Sequence, residues 1–154
     1  MRRGSLVVLL AASLGVGATS LAFAQQKGAK GIVAVRQATM DANGGHMSAI
    51  KFILTETPEL TKHVAFHAQA IAEAAEYTPE LFPQGSTQAP TDALPAIWEK
   101  PDEFKQAAER AHELAEKLVQ VAETGDKQAT LVAFGTLGKE GCGGCHGTFR
   151  KKDS

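Results

Sequence analysis

Cys142-Gly143-Gly144-Cys145-His146, close to the C-terminus, is the stretch on which the reading of the whole chain turns. Its Cys-x-x-Cys-His spacing is the one that attaches a c-type haem. Two thiolates three residues apart can add to the two vinyl groups on one porphyrin edge. The adjacent imidazole then reaches the iron from one face of the same ring. On a helix, Cys142, Cys145 and His146 stand at i, i+3 and i+4 and share one side. The intervening glycines let the porphyrin edge lie close to the backbone. Two other chemistries use a Cys-x-x-Cys pair. A redox dithiol normally opens a helix in a βαβ setting. A structural zinc site needs a second pair, and these are the only two cysteines in the chain. The histidine in the next position is required only by haem attachment.

The opposite end of the chain agrees with that chemistry. Arg2 and Arg3 precede an apolar run from Leu6 to Leu14, and Ala22-Phe23-Ala24 supplies a small-x-small cleavage signature before Gln25. The run is shorter than the roughly 20 residues of a membrane span and is followed by Gly15 and Gly17. Residues 1–24 therefore read as a cleavable export signal, and 25–154 as one domain. Export implies a periplasmic location, where thiols not committed to a cofactor tend to oxidise. Loss of Arg2 and Arg3 with the leader moves the formal charge from -1 to about -3. This mild acidity argues against nucleic acid as a partner.

Between these ends the pattern is helical. Val33, Met40, Met47 and Leu54 recur every seven positions, and the stripe stays in phase across Asn43-Gly44-Gly45. One long helix is expected, with a close-packing site at the glycines. Thr57-Pro58-Glu59 reads as N-cap, N1 proline and first-turn acid of a second helix. That helix carries Leu60, Val64, His67 and Ile71 on one face and ends near Tyr77. The five prolines between Pro79 and Pro101 mark a long connection crossing the domain. Leu81, Phe82, Ile97 and Trp98 are too apolar for a free linker and are expected to pack down as a flap with short helical turns. A third helix starts at Pro101-Asp102 and places Phe104, Ala108, Ala111, Ala115, Leu118 and Ala122 on one stripe. Gly125 ends it, and Asp126 caps a last helix that carries Leu131, Phe134 and Leu137 into the haem motif. The fold class is all-α, a four-helix bundle with a long crossing loop between helices 2 and 3.

At this point the sequence resembles a known family, the class II c-type cytochromes or cytochrome c-prime family. The likeness runs from Val35-Arg36-Gln37 through Leu81-Phe82-Pro83, Pro95-Ala96-Ile97-Trp98 and Asp102-Glu103-Phe104-Lys105 to the Cys142–His146 motif with Phe149-Arg150. The resemblance implies one haem c, linked through Cys142 and Cys145, with His146 as the proximal iron ligand. It implies that Arg150 stands near the proximal imidazole, although a cation there also suits a helix C-terminus. It matches Arg36 and Gln37 to the pair that contacts a haem propionate. Arg36 has a plainer alternative, a surface pair with Asp41.

Met40 occupies the distal position and divides the functional readings. In the low-spin branch a methionine here binds the iron, giving a monohaem cytochrome that carries single electrons between periplasmic or membrane redox proteins. In the other branch the residue blocks the distal face without binding, and the five-coordinate iron takes nitric oxide or carbon monoxide. The Met-x-x-Asn-Gly-Gly-His-Met run favours the first branch, so electron transfer, not enzymatic turnover, is the leading expectation. A core methionine filling a gap is the plain reading of Met40, and it is preferred for Met47. Family members are often homodimers through their first two helices. His63 and His67, at i and i+4, could hold a metal but lack a third ligand and read as packing residues. His46 and His112 read as solvent-exposed.

Overall fold

A computed structural model describes residues 30–88 and 90–152; the export signal assigned to 1–24 lies outside the described residues. The architecture is an all-α four-helix bundle. Helix α1 spans Gly31–Glu56 and runs unbroken through Gly44 and Gly45. Neither glycine has another atom within 4 Å of where a Cβ would stand, so the expected close-packing site is absent and the helix tolerates them as exposed positions.

The second rod departs from expectation at its start. Pro58–His63 forms a tight 3₁₀ turn, and the α-helix proper, α2, begins only at Val64 and runs to Tyr77. Thr57 makes no side-chain cap, Leu60 is exposed, and Thr61 is buried in its place, with its hydroxyl donating to the Pro58 carbonyl at 2.6 Å. A 3₁₀ turn advances about 120° per residue and so exchanges which side chain faces inward. From Val64 onward Val64, Ala68, Ile71, Ala72 and Ala75 form the buried face.

The crossing segment is folded down on the bundle. It begins with a 3₁₀ turn at Thr78–Leu81 and ends in a single helical turn, α3 (Ala96–Glu99). The Trp98 indole donates to the Phe82 and Pro83 carbonyls at 3.1 and 3.0 Å. The far end is stitched to the C-terminus by an antiparallel bridge between Ala93 and Arg150. There Leu94 N–H donates to the Phe149 carbonyl at 3.0 Å and Lys151 N–H to the Asp92 carbonyl at 2.8 Å.

Helix α4 spans Pro101–Glu123 and buries Phe104, Ala108, Leu114, Ala115, Leu118 and Ala122. Gly125 follows with φ 76°, the left-handed conformation that glycine supplies at a helix end. The Asp126 carboxylate accepts from Ala129 N–H at 3.0 Å and caps α5 (Lys127–Thr136), a contact typically worth about 1 kcal/mol. Leu131 is exposed, whereas Leu137 is fully buried. The last rod is not one α-helix: Leu137–Cys142 makes a π-helical turn before α6 (Gly143–Phe149).

Two apolar clusters result. The larger holds Ile50, Leu54, Val64, Ala68, Leu118 and Leu137, with Met47, Phe134 and Cys142 packed against it. The smaller holds Ile97, Phe104 and Phe149, with Phe82, Trp98 and Cys145 against it.

Candidate haem site

The last rod sets the geometry of the motif. The π turn widens the helix just before Cys142, and Gly141 makes the close approach to α4 that this requires. A Cβ there would lie 3.0 Å from the Leu137 side chain and 3.3 Å from the Ala111 Cα. The motif thus straddles two backbone forms, with Cys142 ending the π turn and Cys145 and His146 lying on α6.

A cavity of about 430 Å³ opens between α1, the crossing segment and α6. Met40, Phe82, Ile97, Phe104 and Phe149 give it apolar walls, and Arg36, Gln37, Thr91, Asp92 and Arg150 give it polar edges. Phe104 stacks edge-to-face between Phe82 and Phe149, at 4.9 and 5.2 Å between centroids, and forms a rigid aromatic floor. Six of the seven residues singled out in the sequence, Arg36, Gln37, Met40, Cys145, His146 and Arg150, line this one cavity. The seventh, Cys142, is half-buried against the larger core cluster.

Burial raises both thiols, as it disfavours the thiolate; Cys145, next to Cys142 as well, is pushed up to about 11. His146 moves the other way. Burial first, and then the positive charge of Arg150, lower its pKa. The imidazole is therefore held neutral, with a lone pair available to a metal.

Arg36 is not the surface cation of the plainer reading. It is buried, and its guanidinium donates to the Leu81 carbonyl from Nε at 3.1 Å and Nη2 at 2.9 Å. It also reaches the Ser86 carbonyl and hydroxyl and lies 3.9 Å over the Phe82 ring. The sequence carried no signal for this anchoring of the loop. Gln37 donates through Nε2 to the Pro90 carbonyl at 3.0 Å, while its buried Oε1 has no partner among the described residues. That orphaned acceptor lies at the polar edge of the cavity, where a bound group carrying a hydrogen-bond donor, such as a protonated propionic acid, would satisfy it. Apolar walls, charged edges, a neutral imidazole and a thiol on one cavity suit an amphipathic macrocycle such as haem.

Two histidines expected in solvent are engaged. His112 Nδ1 lies 3.0 Å from the Ala72 carbonyl, and His46 Nδ1 lies 3.0 Å from His67 Nδ1. Among the described residues no group of three or more His, Cys, Asp or Glu side chains forms a metal cluster.

Fold and site together define a class, the monohaem c-type cytochromes built on a helical bundle with a C-terminal attachment motif. Comparison with known proteins agrees. The family described as Cytochrome C′ matches residues 31–150. A cytochrome c′ of Pararhodospirillum photometricum is 38% identical over 120 residues, covering 77% of this chain and 95% of the relative. A cytochrome c-554 of Cereibacter sphaeroides is 42% identical over 104 residues, covering 64% of this chain and 75% of the relative. Among solved structures, a cytochrome c′ with ligand-controlled dimer dissociation superposes with a TM-score of 0.71 at 27% identity, covering 79% of this chain and 95% of that one. A nitric oxide complex of a cytochrome c prime variant from Alcaligenes xylosoxidans shares the fold, with a TM-score of 0.70 at 24% identity, covering 79% of this chain and 94% of that one. The chain belongs to the cytochrome c′ family and carries one covalently attached haem c, with Cys142 and Cys145 in the attachment motif.

Proposed function

We propose that this chain is a periplasmic haem protein that takes a diatomic gas, nitric oxide or carbon monoxide, on the side of the iron guarded by Met40. The observation that carries the reading is the make-up of the cavity wall, where, among the described residues, His146 is the only imidazole and Met40 the only thioether. His146, neutral and buried, serves as the proximal ligand. Met40 covers the other side with a soft side chain on the rigid α1. A thioether competes weakly with a strong diatomic ligand, so the guarded side stays available. The bound haem supplies the ligand-binding and one-electron chemistry. Arg36 and Gln37 hold the propionate edge, and Arg150 closes the proximal side. The relative with ligand-controlled dimer dissociation supports a bound ligand and a homodimer. Val35 and Phe52, exposed on α1, offer a second copy apolar area to cover.

A second reading is favoured by the position of Met40 on a continuous helix, one turn from the firmly anchored Arg36. There Met40 is a sixth ligand, and the protein passes single electrons between redox partners. One spectrum separates the two. The reduced protein should show broad high-spin bands that shift on adding carbon monoxide. Sharp low-spin bands that carbon monoxide leaves unmoved would establish the electron carrier instead.

A further inference from the structure

Outside the haem cavity, α1 and α2 bring two imidazoles together. His46 Nδ1 and His67 Nδ1 stand 3.0 Å apart, both half-buried, with ring centroids 5.3 Å apart and planes at 52°. The helices that carry them are fixed close by: Ile50 and Leu54 on α1 and Val64 and Ala68 on α2 are almost fully buried in one cluster. We propose that His46 and His67 form a binding site for a divalent transition-metal ion, Cu²⁺ above all, with both Nδ1 atoms as ligands and solvent completing the coordination sphere.

The distance supports this. Metal–imidazole bonds run about 2.0–2.1 Å, so two nitrogens at a right angle about one ion stand about 2.9 Å apart. The observed 3.0 Å already matches that separation without movement of either helix. A right-angled pair is one edge of a square-planar or tetragonal site, the geometry of Cu²⁺ and Ni²⁺, whereas a tetrahedral ion needs wider spacing. Cu²⁺ also heads the affinity order for nitrogen sites. In the metal-free pair one Nδ1–H donates to the other Nδ1 lone pair. On binding, the donor ring moves that proton to its Nε2 through solvent, both rings turn their Nδ1 lone pairs to the ion, and no proton is lost overall.

The surroundings agree. Burial and the charges of His46 and then His63 lower the pKa of His67, so protons compete little for it near neutral pH. The exposed Phe66 packs edge-on against both rings, at 6.4 Å from His46 and 5.2 Å from His67, and limits their swing. No third His, Cys, Asp or Glu among the described residues joins the pair, which marks a two-nitrogen, exchangeable site and not a structural one.

The test uses tag-free, haem-loaded protein titrated with Cu²⁺ and followed by calorimetry and electron paramagnetic resonance. The expected result is one Cu²⁺ per chain with two nitrogen donors, and a loss of roughly tenfold or more in affinity in His46→Ala and in His67→Ala. His63→Ala should bind as the parent does. Unchanged affinity in both of the first two variants, or loss in His63→Ala alone, would overturn the assignment. A measurement free of variants guards against misfolding: Cu²⁺ should protect His46 and His67, but not His63, from acylation by diethylpyrocarbonate. Equal labelling of all three with and without Cu²⁺ would also overturn it.

Discussion

Nη2 of Arg36 donates to the Ser86 hydroxyl oxygen at 2.7 Å, and that hydroxyl donates onward to the Pro83 carbonyl at 2.7 Å. A buried cation on α1 thereby fixes the crossing segment that roofs the haem cavity. Arg36→Met should destabilise the protein by about 3 kcal/mol, because it leaves the Leu81 and Ser86 carbonyls without their charged donor. Arg36→Lys should recover only part of this, as an ammonium lacks the planar fork. Chemical denaturation of both variants measures the order; equal stabilities would refute the anchoring role.

Substituting two glycines of the last rod should have opposite effects. Gly141→Ala forces a Cβ to 3.0 Å from Leu137 and 3.3 Å from the Ala111 backbone, and should cost about 1–3 kcal/mol and lower haem incorporation. Gly135→Ala meets open space on α5 and should stabilise by about 0.5–1 kcal/mol. Denaturation midpoints together with haem content per chain check both.

Before haem is attached, Cys145 should alkylate slowly at neutral pH. With its pKa pushed up to about 11, only about one thiol in a thousand is ionised near pH 8. Alkylation should accelerate about tenfold per pH unit toward about 11. The sign for stability follows. The folded pKa lies above the unfolded value of about 8.5, so folding is favoured fully below that pH and progressively less as pH rises through 11. A flat alkylation profile would contradict the buried placement of the thiol.

Replacing the proposed axial residues should separate their roles. His146→Ala should yield little or no haem-containing protein, read from absorbance per chain. Met40→Ala should retain haem and, if the methionine only guards the gas side, speed carbon monoxide binding with little change in the reduced spectrum. A large spectral change in Met40→Ala would favour ligation.

Sequence alone carried the bundle because its signals are local and repeated. The stripes of α1 and α4, the Gly125 stop and the Asp126 cap each act within one or two turns. The haem motif was legible for the same reason, as five adjacent residues. Contacts between distant segments were not. The hold of Arg36 on Leu81 and Ser86 spans 45 and 50 residues, and the pairing of His46 with His67 spans 21. The 3₁₀ start of the second rod hid behind a Thr-Pro-Glu run that suits a helix N-terminus equally well. No periodicity announces a π turn, since glycines at 138 and 141 are tolerated in several backbone forms.

That turn between Leu137 and Cys142 also acts as a phase setter for heredity. Each residue added to or removed from a helix rotates everything beyond it by about 100°. The wide turn takes up one extra residue locally, so deleting a single codon from it would restore an ordinary α-helix with Cys145 and His146 still facing the cavity, whereas the same deletion within α5 would swing them off it. At this turn the proximal ligand is thus buffered against one inherited three-base step that elsewhere on the last rod would turn it away from iron.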